Sequence, residues 1–214
     1  MAAARPARGD RAARSAPAGQ SARTGRTRLS TEERREQLLS VGARLFAQSP
    51  YDDVWIEQVA EIAGVSRGLL YHYFPNKRDF FAAVVRRESA RMLRQTAAVP
   101  GVPVDDQLRS GIDTYLRYAE ANAHGFRAFH RAQAAGDPGV RAAYEAGVAA
   151  QEEQILLALA EDGKPPSATD RLAVRGWLAF MTTVCQQWLE SPDETPRDAV
   201  RELCARALLG ALAR

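Results

Sequence analysis

From Ser30 onward, apolar residues recur at intervals of three and four, and nowhere do they alternate as a half-buried strand requires. The pattern predicts an all-α chain. Ser30 with Glu33 has the spacing of a capping box, and Leu38, Val41, Leu45 and Phe46 follow, so a first helix runs to about Gln48. In the next pattern Ile56, Val59, Ala60 and Ala63 form a stripe, while Glu57, Gln58 and Glu61 face out. Gly64 stops it, because glycine reaches the left-handed backbone just past a helix end. Val65 then plugs the angle, and Ser66 can cap a second helix from Arg67 to about Phe74. Two short helices across so short a break have helix-turn-helix spacing. Pro75 ends the second, and Asn76 or Lys77 opens a long helix to about Ala97 with Phe80, Phe81, Val84, Val85 and Met92 as its apolar residues.

Val99-Pro100-Gly101-Val102-Pro103 marks a boundary. Beyond it helices are predicted at 104–122, 124–134, 138–161, 168–190 and 196–213, with Asp137-Pro138 and Thr195-Pro196 each reading as a cap followed by proline at the first helical position. No repeat period links them, so they form a bundle. The 168–190 helix carries Leu172, Val174, Trp177, Leu178, Phe180, Met181, Val184, Trp188 and Leu189 around most of its surface. One face cannot absorb them all. Such a helix is central in its bundle or shared with a second subunit.

On the helix after Ser66, Leu69 or Leu70 together with Tyr73 can face inward, leaving Arg67, Gly68, Tyr71 and His72 outside. That outer set suits a major groove. Arginine near a helix start can bind guanine O6 and N7 with two donors, a small residue admits the backbone to the base edges, and tyrosine hydroxyls reach phosphates. Lys77 and the start of the following helix suit a further phosphate.

These residues resemble the DNA-binding domain of the TetR family, the tetracycline-repressor-like transcriptional regulators. The resemblance spans roughly Leu29 to Val85 and rests on L-F-A-Q before Tyr51, on I-E-Q-V-A-E-I-A-G-V-S-R-G-L-L-Y-H-Y-F, and on K-R-D-F-F after Pro75-Asn76. It implies a DNA-contact set of Ser66, Arg67, Gly68, Leu69, Tyr71, His72, Tyr73 and Lys77. Two places depart from the family pattern. Ser49-Pro50 stands where glycine usually precedes the tyrosine, and Val54-Trp55 replaces the Thr/Ser pair that opens the second helix and touches phosphate, leaving Asp53 as a candidate cap. The resemblance also implies dimerisation through the last two helices, matching a palindromic double-stranded operator. It further implies a small-molecule cavity, for which Tyr115, Phe126, Phe129, His130, Tyr144, Trp177, Met181 and Cys185 are the candidate lining as a group; each residue taken alone reads first as core. Few polar groups accompany these aromatics, which suits an apolar effector.

Charge sharpens the division. Residues 1–95 carry 17 Lys/Arg against 10 Asp/Glu, and residues 96–214 carry 12 against 16, so the basic half is the half with the motif. The expected organisation is an Arg/Ala-rich arm at 1–28, a DNA-binding domain at 29–75, a linking helix at 76–97 and an effector-binding and dimerisation domain at 98–214. The arm holds seven arginines and one acid and cannot pack a core; Arg26 and Arg28 lie nearest the fold and are its candidate DNA contacts, against a plain disordered tail. Cys185 and Cys204 have no partner at metal-ligand spacing and read as buried thiols, while His124 and His130, six apart, share no face for a metal. No apolar run approaches a membrane span and no signal-peptide core is present, so a cytoplasmic protein is expected. HExxH, a nucleophile elbow and a glycine-rich phosphate cradle are all missing, so neither an enzyme nor a cofactor is expected. The function expected is a repressor that leaves its operator when an apolar ligand binds; the alternative is an activator or architectural protein without an effector.

Overall fold

A computed structural model describes residues 29–160 and 165–212. Among these the chain is helical throughout: α1 (Thr31–Gln48), a single 3₁₀ turn (Tyr51–Asp53), α2 (Ile56–Ala63), α3 (Arg67–Tyr73), α4 (Lys77–Gln95), α5 (Val104–Ala121), α6 (Ala123–Ala134), α7 (Pro138–Leu159), α8 (Ala168–Trp188) and α9 (Arg197–Ala211). The arm, with Arg26 and Arg28, lies outside the described residues.

Helix ends follow local chemistry. Ser30 accepts from the Glu33 N–H while Glu33 accepts from the Ser30 N–H, and the latter bond holds the Glu33 carboxyl below its ordinary pKa. Gly64 takes φ 66°, and Ser66 accepts from the Leu69 N–H at 3.2 Å. Asp137 caps α7 ahead of Pro138 as expected. Two caps fall elsewhere. Trp55, not Asp53, precedes α2: its N–H is taken by the Gln58 side chain at 3.1 Å, and Asp53 is consumed in the 3₁₀ turn. Pro196 rather than Thr195 precedes α9, because the Thr195 carbonyl accepts from the Trp188 indole at 2.9 Å and the helix starts one residue later.

Two buried clusters organise the chain. The first gathers Leu38, Val41 and Phe46 of α1, Ile56, Val59 and Ala63 of α2, Leu70 and Phe74, and Phe80 to Val84 of α4. Of the two leucines that could face in, Leu70 does, and Leu69 stays exposed. Gly42 is required here: a Cβ would meet the Phe80 ring at 2.3 Å. Ala128 of α6 and Val140 of α7 close this cluster from below. The second joins Ile112, Leu116 and Ala119 of α5 to Leu156, Val174, Trp177, Met181, Cys185, Cys204 and Leu208. Asp113, bonded to Arg117 and, at 3.2 Å, to Arg197, ties α5 to α9, and those guanidinium groups hold its carboxyl below the ordinary range. The load on α8 divides as its composition requires: Val174, Trp177, Met181, Cys185 and Trp188 face the core, while Leu172 and Phe180, with Leu203 of α9, remain on the outer surface.

Candidate nucleic-acid interface and effector cavity

The turn between α2 and α3 aims the first turn of α3 outward. Arg67, Gly68, Leu69, Tyr71 and His72 are all exposed. Arg67 makes no hydrogen bond or ion pair among the described residues, and a Cβ at Gly68 would meet nothing within 4 Å. A two-pronged donor in no hydrogen bond, its charge near Glu57, beside an open backbone position is what reading a base edge needs. The tyrosines are more committed than their spacing suggested. Tyr71 donates its hydroxyl to the Glu57 carboxylate at 2.6 Å; this bond is the main reason the Glu57 carboxyl is held down and the Tyr71 phenol pushed up. Tyr73 is half-buried and donates to the Thr31 carbonyl at 3.3 Å, so it braces α3 against the start of α1. Lys77 places Nζ 4.4 Å from the centre of the Tyr51 ring and donates to the Asp52 carbonyl at 3.3 Å. Burial lowers its pKa, partly offset by Asp52 and Asp53. Asn76 caps α4 by accepting from the Asp79 N–H, so the helix start beside Lys77 carries its own acid.

Trp55, noted in the sequence as a departure at the start of α2, was not among the expected DNA contacts. It is 68% exposed, the most exposed of the aromatic side chains. Its position at a cap, where a hydroxyl was expected, was the available signal.

Beneath the first cluster lies a cavity of about 270 Å³. Phe46, Phe81 and Val84 roof it from α1 and α4, Phe126, Phe129 and His130 come from α6, Tyr144 from α7, Trp177 and Met181 from α8, and Leu208 closes it from α9. Seven of the eight expected lining residues therefore converge: Tyr115, Phe126, Phe129, His130, Tyr144, Trp177 and Met181. Cys185 does not. It is one helical turn past Met181, fully buried against the second cluster, and burial pushes its thiol to about 12. Both cysteines are unpaired thiols.

The wall carries more polar chemistry than the aromatic pattern showed. Gln151 and Gln154, one turn apart on α7, donate to Thr96 Oγ1 at 3.2 and 3.1 Å; Thr182 hydrogen-bonds with Tyr115, and Glu88 with Tyr118. In the sequence these glutamines lie in the polar run Gln151-Glu152-Glu153-Gln154, which does not distinguish them from a solvated stretch. His130 is 8% exposed, its ring edge-on to Phe126 and Phe129, and its Nε2 is sealed with no partner among the described residues. Burial pulls its pKa down to about 4, which keeps it neutral near pH 7. No group of His, Cys, Asp or Glu among the described residues could hold a metal ion, and no helix there is long and apolar enough to cross a membrane.

Two further contacts join the α1–α4 unit to α6 and α7. Arg78 at the start of α4 meets the Asp137 cap of α7 at 2.9 Å. Where α6 crosses α1, a Cβ on Gly125 would sit 3.1 Å from the Phe46 carbonyl oxygen, so the two backbones approach as closely as a glycine permits.

Known proteins share this arrangement. Residues 38–84 match the tetR family of bacterial regulatory proteins, and residues 104–210 match the tetracyclin repressor-like C-terminal domain. A tetR-family transcriptional regulator from Streptomyces coelicolor superposes with a TM-score of 0.76 at 29% identity, over 86% of this chain and 82% of that one. The transcriptional activator FasR of Mycolicibacterium smegmatis is 23% identical across 87% of this chain and 85% of its own. The transcriptional repressor AcnR of Corynebacterium diphtheriae is 34% identical over 64 residues, 30% of this chain and 34% of its own. With an outward-facing α3 carried on a helical body whose cavity touches both clusters, and with both halves of the chain matched, this protein belongs to the tetR family and is a DNA-binding transcriptional regulator.

Proposed function

We propose that the chain acts as a homodimer on a palindromic operator and leaves it when a small, largely apolar molecule enters the cavity. The observation that carries this reading is the reach of the cavity, whose wall includes Phe46 and Phe81 of the DNA-facing unit and Trp177 and Leu208 of α8 and α9. An occupant touches both units at once. Its differential affinity for two arrangements of α1, α4 and α6 can therefore be felt at α3. At about 270 Å³ the space is near the lower end of the roughly 300–1,000 Å³ usual for ligand pockets. Residues 29–75 would hold the DNA, 76–97 link, and 98–214 bind ligand and pair.

Pairing is supported by Leu172, Phe180 and Leu203, exposed on α8 and α9 and apolar enough to favour burial against a second copy. Two copies of α3 would then enter successive major grooves roughly 34–36 Å apart. Arg67, Gly68 and Leu69 would face base edges; Lys77 and Ser66 would lie at phosphates.

The test uses a duplex selected by the purified protein from a random-core library. Binding as a dimer, a two-fold symmetric selected motif, and release by apolar probes such as long-chain alcohols support the reading. A monomer on DNA, or no release by any probe while binding is intact, overturns it. A second reading of sign has one specific support: a relative aligned over most of the chain is by name an activator. Transcription from a reporter carrying the selected site separates the two.

A further inference from the structure

Resting on the effector reading of the cavity, we infer that it selects an uncharged, largely apolar molecule that brings hydrogen-bond donors, O–H or N–H, to the side-chain oxygens of Gln151 and Gln154.

Thr96, the cap residue at the end of α4, sets the direction of both amides. Its hydroxyl donates to the Met92 carbonyl at 3.0 Å, which spends its only proton. Toward α7 the same oxygen can only accept, and it accepts from Gln151 at 3.2 Å and from Gln154 at 3.1 Å. Gln154 also donates to the Thr96 carbonyl at 2.7 Å. A carboxamide flipped the other way would set oxygen against oxygen. The nitrogen of each amide therefore belongs to Thr96, and each amide oxygen is left over.

Both glutamines border the cavity, as does Thr96. Neither leftover oxygen has a donor among the described residues, and neither is sealed away as His130 Nε2 is, so each stays open to a partner. An oxygen in that state favours a ligand donor and disfavours a ligand acceptor.

Neighbouring polar groups lean the same way. A Cβ on Gly111 of α5 would meet the Thr96 Cβ at 3.9 Å, and Tyr115 follows Gly111 by about one helical turn. Thr182 donates to the Leu178 carbonyl at 3.0 Å, so in its bond with Tyr115 the threonine accepts and the phenol's proton is spent. Tyr118 gives its proton to Glu88. At these positions donors are consumed within the protein and acceptors remain.

Charge narrows the class further. Among the described residues of the wall Glu88 is the one ionised side chain, and Arg87 and Arg91 already bridge it, the latter at 3.5 Å. A ligand carboxylate would find no cation there, and a ligand ammonium no unpaired anion. Either charge would lose its water without gaining a counter-charge.

The test titrates the full-length chain at neutral pH by calorimetry with three probes on one apolar body: naphthol, which donates; methoxynaphthalene, which only accepts; and naphthoate, which is charged. Naphthol is expected to bind about tenfold tighter than methoxynaphthalene, the size of one net hydrogen bond, with naphthoate weakest. Gln151→Met and Gln154→Met keep the length of the side chain and remove the oxygen. In at least one of them the preference for naphthol should vanish while methoxynaphthalene binds as before; a merely structural role would weaken both probes alike. Unchanged melting temperatures confirm intact folding. A preference that survives in both variants, equal loss of both probes, or wild-type binding of methoxynaphthalene or naphthoate as tight as that of naphthol, overturns the inference and leaves the effector reading standing. Binding of none of the three while DNA binding is intact would strike the effector reading itself.

Discussion

His130 makes the stability of this protein depend on pH in a direction the structure fixes. The imidazole is 8% exposed, packed against Phe126 and Phe129, with Nε2 unpartnered among the described residues, and desolvation lowers its pKa from 6.5 to about 4. The folded chain therefore holds a neutral ring at pH values where the unfolded chain has already bound a proton. Stability from this group is fully present above pH 6.5 and is lost as pH falls toward 4. At 1.36 kcal/mol per pKa unit the whole span amounts to about 3 kcal/mol. Carboxylates held low, such as Asp113, also lose stability in acid, so the measurement must be a difference. His130→Leu keeps an apolar group of similar bulk and removes the titration. Urea midpoints of both proteins at fixed concentration from pH 7.5 to 4.5 should show the variant gaining about 2 to 3 kcal/mol on the wild type as pH falls, roughly 1 M at ordinary urea slopes. Parallel curves would refute the reasoning, since they require the ring to be as easily protonated folded as unfolded.

Other substitutions probe the DNA face and its coupling. Arg67→Ala should cost about 1 to 3 kcal/mol of binding and relax preference at one position per half-site, read from reselected sequences; equal loss on every sequence would assign Arg67 to phosphate. Lys77→Ala should weaken all duplexes alike and flatten the salt slope by about one, and an unchanged slope would mean that Lys77 serves only Tyr51 and Asp52. Gly125→Ala puts a methyl 3.1 Å from the Phe46 carbonyl oxygen and should push α6 from α1 by a few tenths of an ångström. Helix propensity offsets part of the overpacking, so melting should move little while DNA affinity falls about fivefold or more; wild-type affinity and ligand response together would remove this crossing from the coupling.

What the sequence determined by itself was everything local. Gly64, Ser66 and Pro75 act through the backbone of their immediate neighbours, so the break between α2 and α3 and its caps could be read residue by residue, and the helical period predicted every helix to within a few residues. The candidate cavity lining came from the family resemblance and not from helix faces; seven of its eight residues border one cavity. Tertiary structure decided what depends on distance across the chain. Whether Leu69 or Leu70 went inward depended on where α1 and α4 lay. Tyr73 and Tyr71 found partners 42 and 14 residues away, and Lys77 found one 25 residues away, none of which a local window contains. Cys185 shares its helix with Met181 yet sits against the second cluster, because one helical turn along α8 is enough to pass from cavity wall to core. The cap of α2 is the opposite case: the Trp55 N–H bonds to the Gln58 side chain only three residues on, a local contact that puts the cap two residues past Asp53.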